Sequence, residues 1–596
     1  MMWFKAAISI LLIFAGSSLY GDDFDTLRIS ASLDTLNKQI HGYVEYDVPG
    51  LSGFEMLKFQ LFPNAYASGD TPYLSDYPQL RDRLAASENW GKMEIDSLFV
   101  GGEDYSDKIE IEDTRGTLPL NKDSGGQAVR IYFTTTVPEL GDRLSYNGDE
   151  YLLDGWYPRP AVLLDDGTWY NPRYGMMAEL VGDFYHHEVS FTAPSGYVIA
   201  AAVTANKVKQ FEDTLSVHYY SLGPVHDFAL SLSPRYEVIE KKRGDVLLKS
   251  YLREFEFPLQ EKIANSVELT FDYMEKMCGP YPYPSLSVAC ADIGFTGGIE
   301  TPGLIILSSP RGSALASRVF DLIIIHETVH EWFYGMVGTD QIEDPWLDEA
   351  VTEYFTLKII DSKYDNVLDF WGFEIDASDQ HRFVMDAVEN EYHLSNPVHG
   401  FTSANEYFGV IYSRGALVLK TIDNLMGEES STQFWKEYFE TYRFGRPGTD
   451  DFVSLLSRFA DAETVTLMEY FLTTPGFVDW SVSGLKNEIV GTDTISVSFT
   501  LSMTGEFEYP VDYRLYLVNG DSINATWNPV YSKERIRIET SSPVTKVLID
   551  PDYKFTVDAN LLNNSSTFSE DNKAGIRLSS GILFLIESIL SYLGGV

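Results

Sequence analysis

The chain has 596 residues and a mass of 67.3 kDa, too long for one compact domain and suited to roughly three or four. Hydrophobic residues make up 44% and charged residues 22%, which excludes wholesale disorder. Lys plus Arg is 44 against 88 for Asp plus Glu, a net charge of −44 that repels phosphate backbones, excludes a nucleic-acid binder and favours solubility. The only cysteines, Cys278 and Cys290, cannot build a disulfide framework or an all-cysteine metal site.

The chain opens with Met1-Met2-Trp3-Phe4-Lys5, continues in an apolar run from Ala6 to Ala15, and leaves it through Gly16-Ser17-Ser18-Leu19-Tyr20-Gly21. One positive residue, about ten apolar residues and a small-residue exit read as a secretory signal peptide over 1–21; an uncleaved amphipathic helix is the alternative. Export to a periplasmic, extracellular or surface-attached location follows as an expectation. A Cys278–Cys290 bond could form there, although two buried thiols are the commoner outcome.

Residues 22–245 carry strand signals. Gly42-Tyr43-Val44-Glu45-Tyr46, Lys58-Phe59-Gln60-Leu61-Phe62, Val129-Arg130-Ile131-Tyr132-Phe133 and Glu188-Val189-Ser190-Phe191-Thr192 each alternate, with turn residues nearby. Over 246–482 the period changes, and helices are predicted at 259–277, 314–337, 347–362, 409–426, 431–442 and 450–460. Strand patterns return over 483–560, as in Ile495-Ser496-Val497-Ser498-Phe499-Thr500. Residues 561–596 read as a polar linker followed by an apolar tail, 576–596, interrupted by Glu587. A membrane anchor, a processed sorting signal and a docked amphipathic helix all stay open for that tail. The order predicts an α+β multidomain protein: an N-terminal β domain, a helical domain and a small C-terminal β-sandwich-like domain.

The chemistry stands in the helical region, in His326-Glu327-Thr328-Val329-His330. On a helix, positions i and i+4 share a face, so His326 and His330 can offer two imidazoles to one zinc ion, with Glu327 over the open position. Catalytic zinc takes three protein ligands and keeps one place for water. Eighteen residues separate His330 from Glu349, and Gly338, Asp344 and Pro345 can turn a second helix back on the first. Glu349 is then the natural third ligand. Glu353, one turn on, is either a carboxylate that orients a ligand histidine or a solvated helix residue.

At these residues the sequence resembles the gluzincin metallopeptidases, and within them the aminopeptidase N-like family, whose signature is HExxH, eighteen residues, then Glu. Gly297-Gly298-Ile299-Glu300-Thr301 resembles the family's Gly-Ala-Met-Glu-Asn exopeptidase motif, and Tyr412-Ser413-Arg414-Gly415 its Tyr-x-Lys-Gly motif. Gly279-Pro280-Tyr281-Pro282-Tyr283 and Phe62-Pro63-Asn64-Ala65-Tyr66 match further family segments. The resemblance implies a thermolysin-like catalytic domain, one Zn2+ on His326, His330 and Glu349, and peptide substrates. It implies Glu327 as general base and Tyr412 as oxyanion donor, with Tyr407 in reserve. Gly297, Gly298 and Glu300 would bind the substrate's amino end. Ile299, Thr301, Asp348, Ala350 and Arg414 depart from the family pattern, and its upstream Gln-x-Glu element has no match. An endopeptidase, an epoxide-type hydrolase and a non-catalytic peptide-binding member are the alternatives.

Overall fold

A computed structural model describes residues 24–569, apart from 121–126, 165, 176, 178, 212–213, 293–296, 310–317, 365–367, 371–372, 389–390, 492–493 and 506–508. The predicted leader, 1–21, and the apolar tail, 576–596, lie outside the described residues. Among those described, no helix is long and apolar enough to cross a membrane.

The N-terminal region is β-rich. Its main sheet has eight strands, and in its middle Tyr185–Pro194 pairs parallel with Thr26–Asp34, which pairs antiparallel with Gln39–Asp47, itself paired with Ala128–Thr136. Burial alternates along Ala128–Thr136, as the sequence pattern requires of a sheet with one face on the core. All four alternating segments singled out in the sequence fall in strands or at their ends.

The helical region opens with Gln260–Met277 and includes an element with no counterpart in the sequence reading. Ser285–Ala291, Leu304–Ser308 and Gly298–Thr301 extend a five-stranded sheet begun by Glu237–Arg243 and Val246–Leu252. Ser285–Ala291 and Leu304–Ser308 are buried at every position, so neither shows the alternation that betrays a half-exposed strand. Gly298–Thr301 pairs antiparallel with Leu304–Ser308 and forms the sheet edge.

The helix predicted over 314–337 is shorter: its described part is Arg318–Val329. His330 still donates its N–H to the His326 carbonyl at 3.2 Å, preserving the i, i+4 geometry. The chain then turns, with Gly335 N–H on the His330 carbonyl at 2.8 Å and Tyr334 at φ 127°. Glu349–Lys363 packs back on this helix.

At the C-terminal end a three-stranded sheet, Asp479–Ile489, Ile495–Thr504 and Lys533–Thr540, packs on a four-stranded one. The linker predicted from 561 begins too early. Ser565–Thr567 pairs with Val544–Ile549, and buried Asn564 donates to Asp558 Oδ2 at 2.8 Å, so polar composition here serves a sheet edge. Thr556 donates its hydroxyl to the Leu417 carbonyl at 2.7 Å, tying this unit to the helix Gly415–Met426.

Candidate active site

The two helices bring three donor atoms together. His326 Nε2 and His330 Nε2 are 3.1 Å apart, and Glu349 Oε2 lies 3.3 Å from the first and 3.4 Å from the second. Tetrahedral zinc with bonds of ~2.0–2.1 Å spaces its ligands by about 3.3 Å, so this triangle fits the ion. Hydrogen bonding on the far sides of the rings fixes the tautomers. His326 Nδ1 faces Glu353 Oε2 at 2.5 Å, and His330 Nδ1 faces the Phe333 carbonyl at 3.0 Å. A carboxylate and a carbonyl only accept, so each Nδ1 carries the proton and each neutral ring turns its Nε2 lone pair inward. Glu349 Oε2 is buried without a hydrogen-bond partner. Two lone pairs and a carboxylate oxygen this close repel each other unless a cation sits between them. His326, His330 and Glu349 are a group able to bind one zinc ion.

Glu327 points beside this triad. Burial pushes its carboxyl up to about 8, against the pull of His326 and with a further push from Glu300, and its Oε2 has no hydrogen-bond partner. Gly298 makes room for it. A Cβ at Gly298 would lie 2.6 Å from Glu327 Oε1 and nearer still to its Cγ and Cδ. The Gly298→Ala variant is therefore expected to fold and bind zinc while displacing Glu327, with kcat falling about 10- to 100-fold. Steady-state kinetics with parallel metal analysis checks this, and an unchanged kcat would refute the packing role.

Glu300 shares the Gly298 face of its edge strand, since side chains alternate. It is 5% exposed, and its Oε1 has no hydrogen-bond partner. The departures Ile299 and Thr301 fall on the opposite face: Ile299 is fully buried and the Thr301 hydroxyl donates to the Leu304 carbonyl. They do not line the site.

Tyr412 lies in a π-helix, Phe408–Arg414, a wide turn frequent at functional sites. Its ring stacks on His326 at 5.7 Å, and its hydroxyl sits beside Glu349; burial and that negative charge hold it well above the usual phenol range. Tyr407 is buried edge-on to it at 5.9 Å. Gly415 allows the close approach of the ligand helix, because a Cβ there would overlap the Ala350 methyl. Arg414 is buried and donates to the Gly476 carbonyl at 2.9 Å and to the Tyr392 carbonyl, anchoring the π-helix.

Two residues near the site, Glu179 and His381, had no sequence signal, and Asp348 was read only as a departure from the family pattern. Glu179, from the β-rich region, pairs with Arg143, which also reaches Asp154 at 3.0 Å and Glu300 at 3.8 Å. Burial raises Glu179 well above the usual carboxylate range; Arg143 counters it and Glu300 adds to the rise. Asp348 lies 3.0 Å from His330 Nδ1, and His381 lies 2.9 Å from Glu353. Cys278 and Cys290 are both buried and unbonded.

Residues 263–471 match the Peptidase family M1 domain. Aminopeptidase 2 of Candida albicans is 24% identical over 270 residues, covering 44% of this chain and 29% of that protein. The chain thus spans less than a third of the length of that relative. Among solved structures, an M1 zinc metallopeptidase from Deinococcus radiodurans aligns with a TM-score of 0.54 at 15% identity, covering 76% of this chain and 95% of that one. Aminopeptidase A of Legionella pneumophila, in complex with aspartic acid, gives 0.63 at 12%, covering 90% of this chain and 59% of that one. At these identities the structures show the fold, and the family match rests on residues 263–471, which are similar to the Peptidase family M1 domain.

Proposed function

We propose that the protein is a zinc-dependent aminopeptidase that removes N-terminal residues from peptides. The observation that carries the exopeptidase part is the buried, partly unpartnered carboxylate of Glu300 beside Glu327, with Glu179 as a second acid nearby. Zinc, when held by His326, His330 and Glu349, supplies Lewis-acid polarisation of the scissile carbonyl and acidifies the attacking water. Glu327 takes the proton from that water and returns it to the departing amine. Tyr412 donates a hydrogen bond to the oxyanion as the carbonyl carbon becomes tetrahedral. Glu300 and Glu179 grip the substrate's α-ammonium, which fixes one end of the peptide and places the first peptide bond over the reacting groups. Glu353 orients His326.

Hydrolysis of paired free-amino and N-acetylated peptides tests this reading. Wild type should cleave the free peptide, fail on the acetylated one, and stop when zinc is chelated. In Glu300→Ala, kcat/KM on the free peptide should fall about 10- to 150-fold, the worth of one charge-assisted hydrogen bond. Acetylation should then cost the variant much less than it costs wild type, a coupling that general damage cannot imitate. Equal cleavage of both peptides by wild type would make the protein an endopeptidase and Glu300 an ordinary buried acid.

A further inference from the structure

Glu353 has an imidazole on each oxygen. Its Oε2 is 2.5 Å from His326 Nδ1, and its Oε1 is 2.9 Å from His381 Nε2. The other nitrogen of His381, Nδ1, is 3.1 Å from Ser413 Oγ, and Ser413 directly follows Tyr412. A carboxylate accepts only, so His381 Nε2 carries a proton, and in the neutral ring Nδ1 accepts from the Ser413 hydroxyl. A chain of polar contacts thus runs from a zinc-ligand histidine through Glu353 and His381 to the turn that carries Tyr412.

The fold does not depend on His381 to hold its own helix, Ala377–Asp386. Arg382 donates to the Asp558 carbonyl at 3.0 Å and the Thr556 carbonyl at 3.2 Å, and Lys420 donates to Ser378 Oγ at 2.7 Å. Those bonds dock the helix against the C-terminal strands and the helix Gly415–Met426. The side chain of His381 is directed elsewhere, at Glu353 and Ser413. Without it, one oxygen of Glu353 loses its donor and the carboxylate is free to rotate about its stem. The His326 ring, held on its outer side by that carboxylate, then loses its fixed aim.

We propose that His381 is a positioning residue of the metal centre. It locks the Glu353 carboxylate so that His326 presents Nε2 to zinc, and through Ser413 it couples that ligand to the π-helix bearing Tyr412. This rests on the zinc reading above.

The test measures the zinc dissociation constant of the full chain by competition with a chromophoric chelator, for wild type, His381→Ala, His381→Asn and His381→Gln. The amide nitrogen of Gln can occupy the place of Nε2 and donate to Glu353, whereas Asn is too short to reach it. Ala and Asn should weaken zinc binding about 10-fold, the usual cost of removing a partner behind a ligand, and Gln should recover most of it. The Gln and Asn variants are both polar and leave no apolar hole, so their comparison holds even if the Ala variant is poorly folded. Zinc binding by the Asn variant as tight as wild type, or by Gln as weak as Asn, would overturn the role of His381 while leaving the metallopeptidase reading intact. A wild-type chain that binds no zinc would overturn both.

Discussion

Glu327→Gln is expected to keep its zinc and lose about 10²- to 10⁴-fold in kcat. The side chain lies beside the three ligand atoms without being one of them, so metal content should not change. Burial pushes its carboxyl up to about 8 in the site without its ion, with Glu300 adding to the rise, and the nearby zinc charge would draw it back down. An amide keeps the shape and cannot take a proton. Because Glu327 Oε2 has no hydrogen-bond partner, the substitution breaks no bond there and should leave thermal stability unchanged or slightly raised. Zinc by elemental analysis and kcat on a free-amino peptide decide the matter. A zinc-loaded variant with near-normal turnover would remove Glu327 from the chemistry.

The zinc triad was legible because it rests on local geometry. The i, i+4 spacing of His326 and His330 needs only a helix, and Glu349 needs only a turn that brings a second helix back. The proposed amino-end pocket draws on both levels. Glu300 stands in a motif read from the sequence, whereas Glu179 comes from the β-rich region, and only the packing of two distant segments places it near Arg143 and Glu300. The buried strands Ser285–Ala291 and Leu304–Ser308 were missed because burial on both faces erases the period of two. The helix predicted to run to 337 was over-read for a related reason. Apolar residues continue through Trp332, Phe333 and Met336, but they pack a tight turn after His330, all of them buried, and the backbone leaves helical geometry at Tyr334.

The turn Gly279-Pro280-Tyr281-Pro282-Tyr283 was identified by resemblance alone, and its contacts now give it a physical reason. The Tyr281 hydroxyl donates to Glu331 Oε2 at 3.1 Å, and Trp332 donates its indole N–H to the Gly279 carbonyl at 3.0 Å. Glu331 also accepts from the Gly303 N–H at 3.0 Å, next to the strand that carries Glu300. The turn therefore braces the residues just after His330 and links them to the edge strand. Glu331, though it follows directly on the zinc motif, is spent on this bracing, and burial pushes it up to about 8 despite its two donors.

Tyr412→Phe is expected to lower kcat by about 10²- to 10³-fold, the loss seen when one oxyanion donor is removed. KM should change little, because the hydrogen bond is made to charge that exists only in the transition state. Phenylalanine keeps the ring that stacks on His326 at 5.7 Å, so zinc occupancy and folding should survive. Tyr407→Phe is the internal comparison, since that ring lies 5.9 Å from Tyr412 and its residue is 2% exposed. Tyr412 is the more accessible of the two and shares the stacked face of a ligand histidine, so its hydroxyl can meet a substrate oxygen that Tyr407 cannot reach without rearrangement. The kinetic signature is specific: a fall in kcat with KM and zinc content preserved for Tyr412, and a far smaller fall for Tyr407. If the Tyr407 variant loses more, the oxyanion donor is Tyr407, and the π-helix serves to bring that residue, five positions earlier, to the reacting carbonyl.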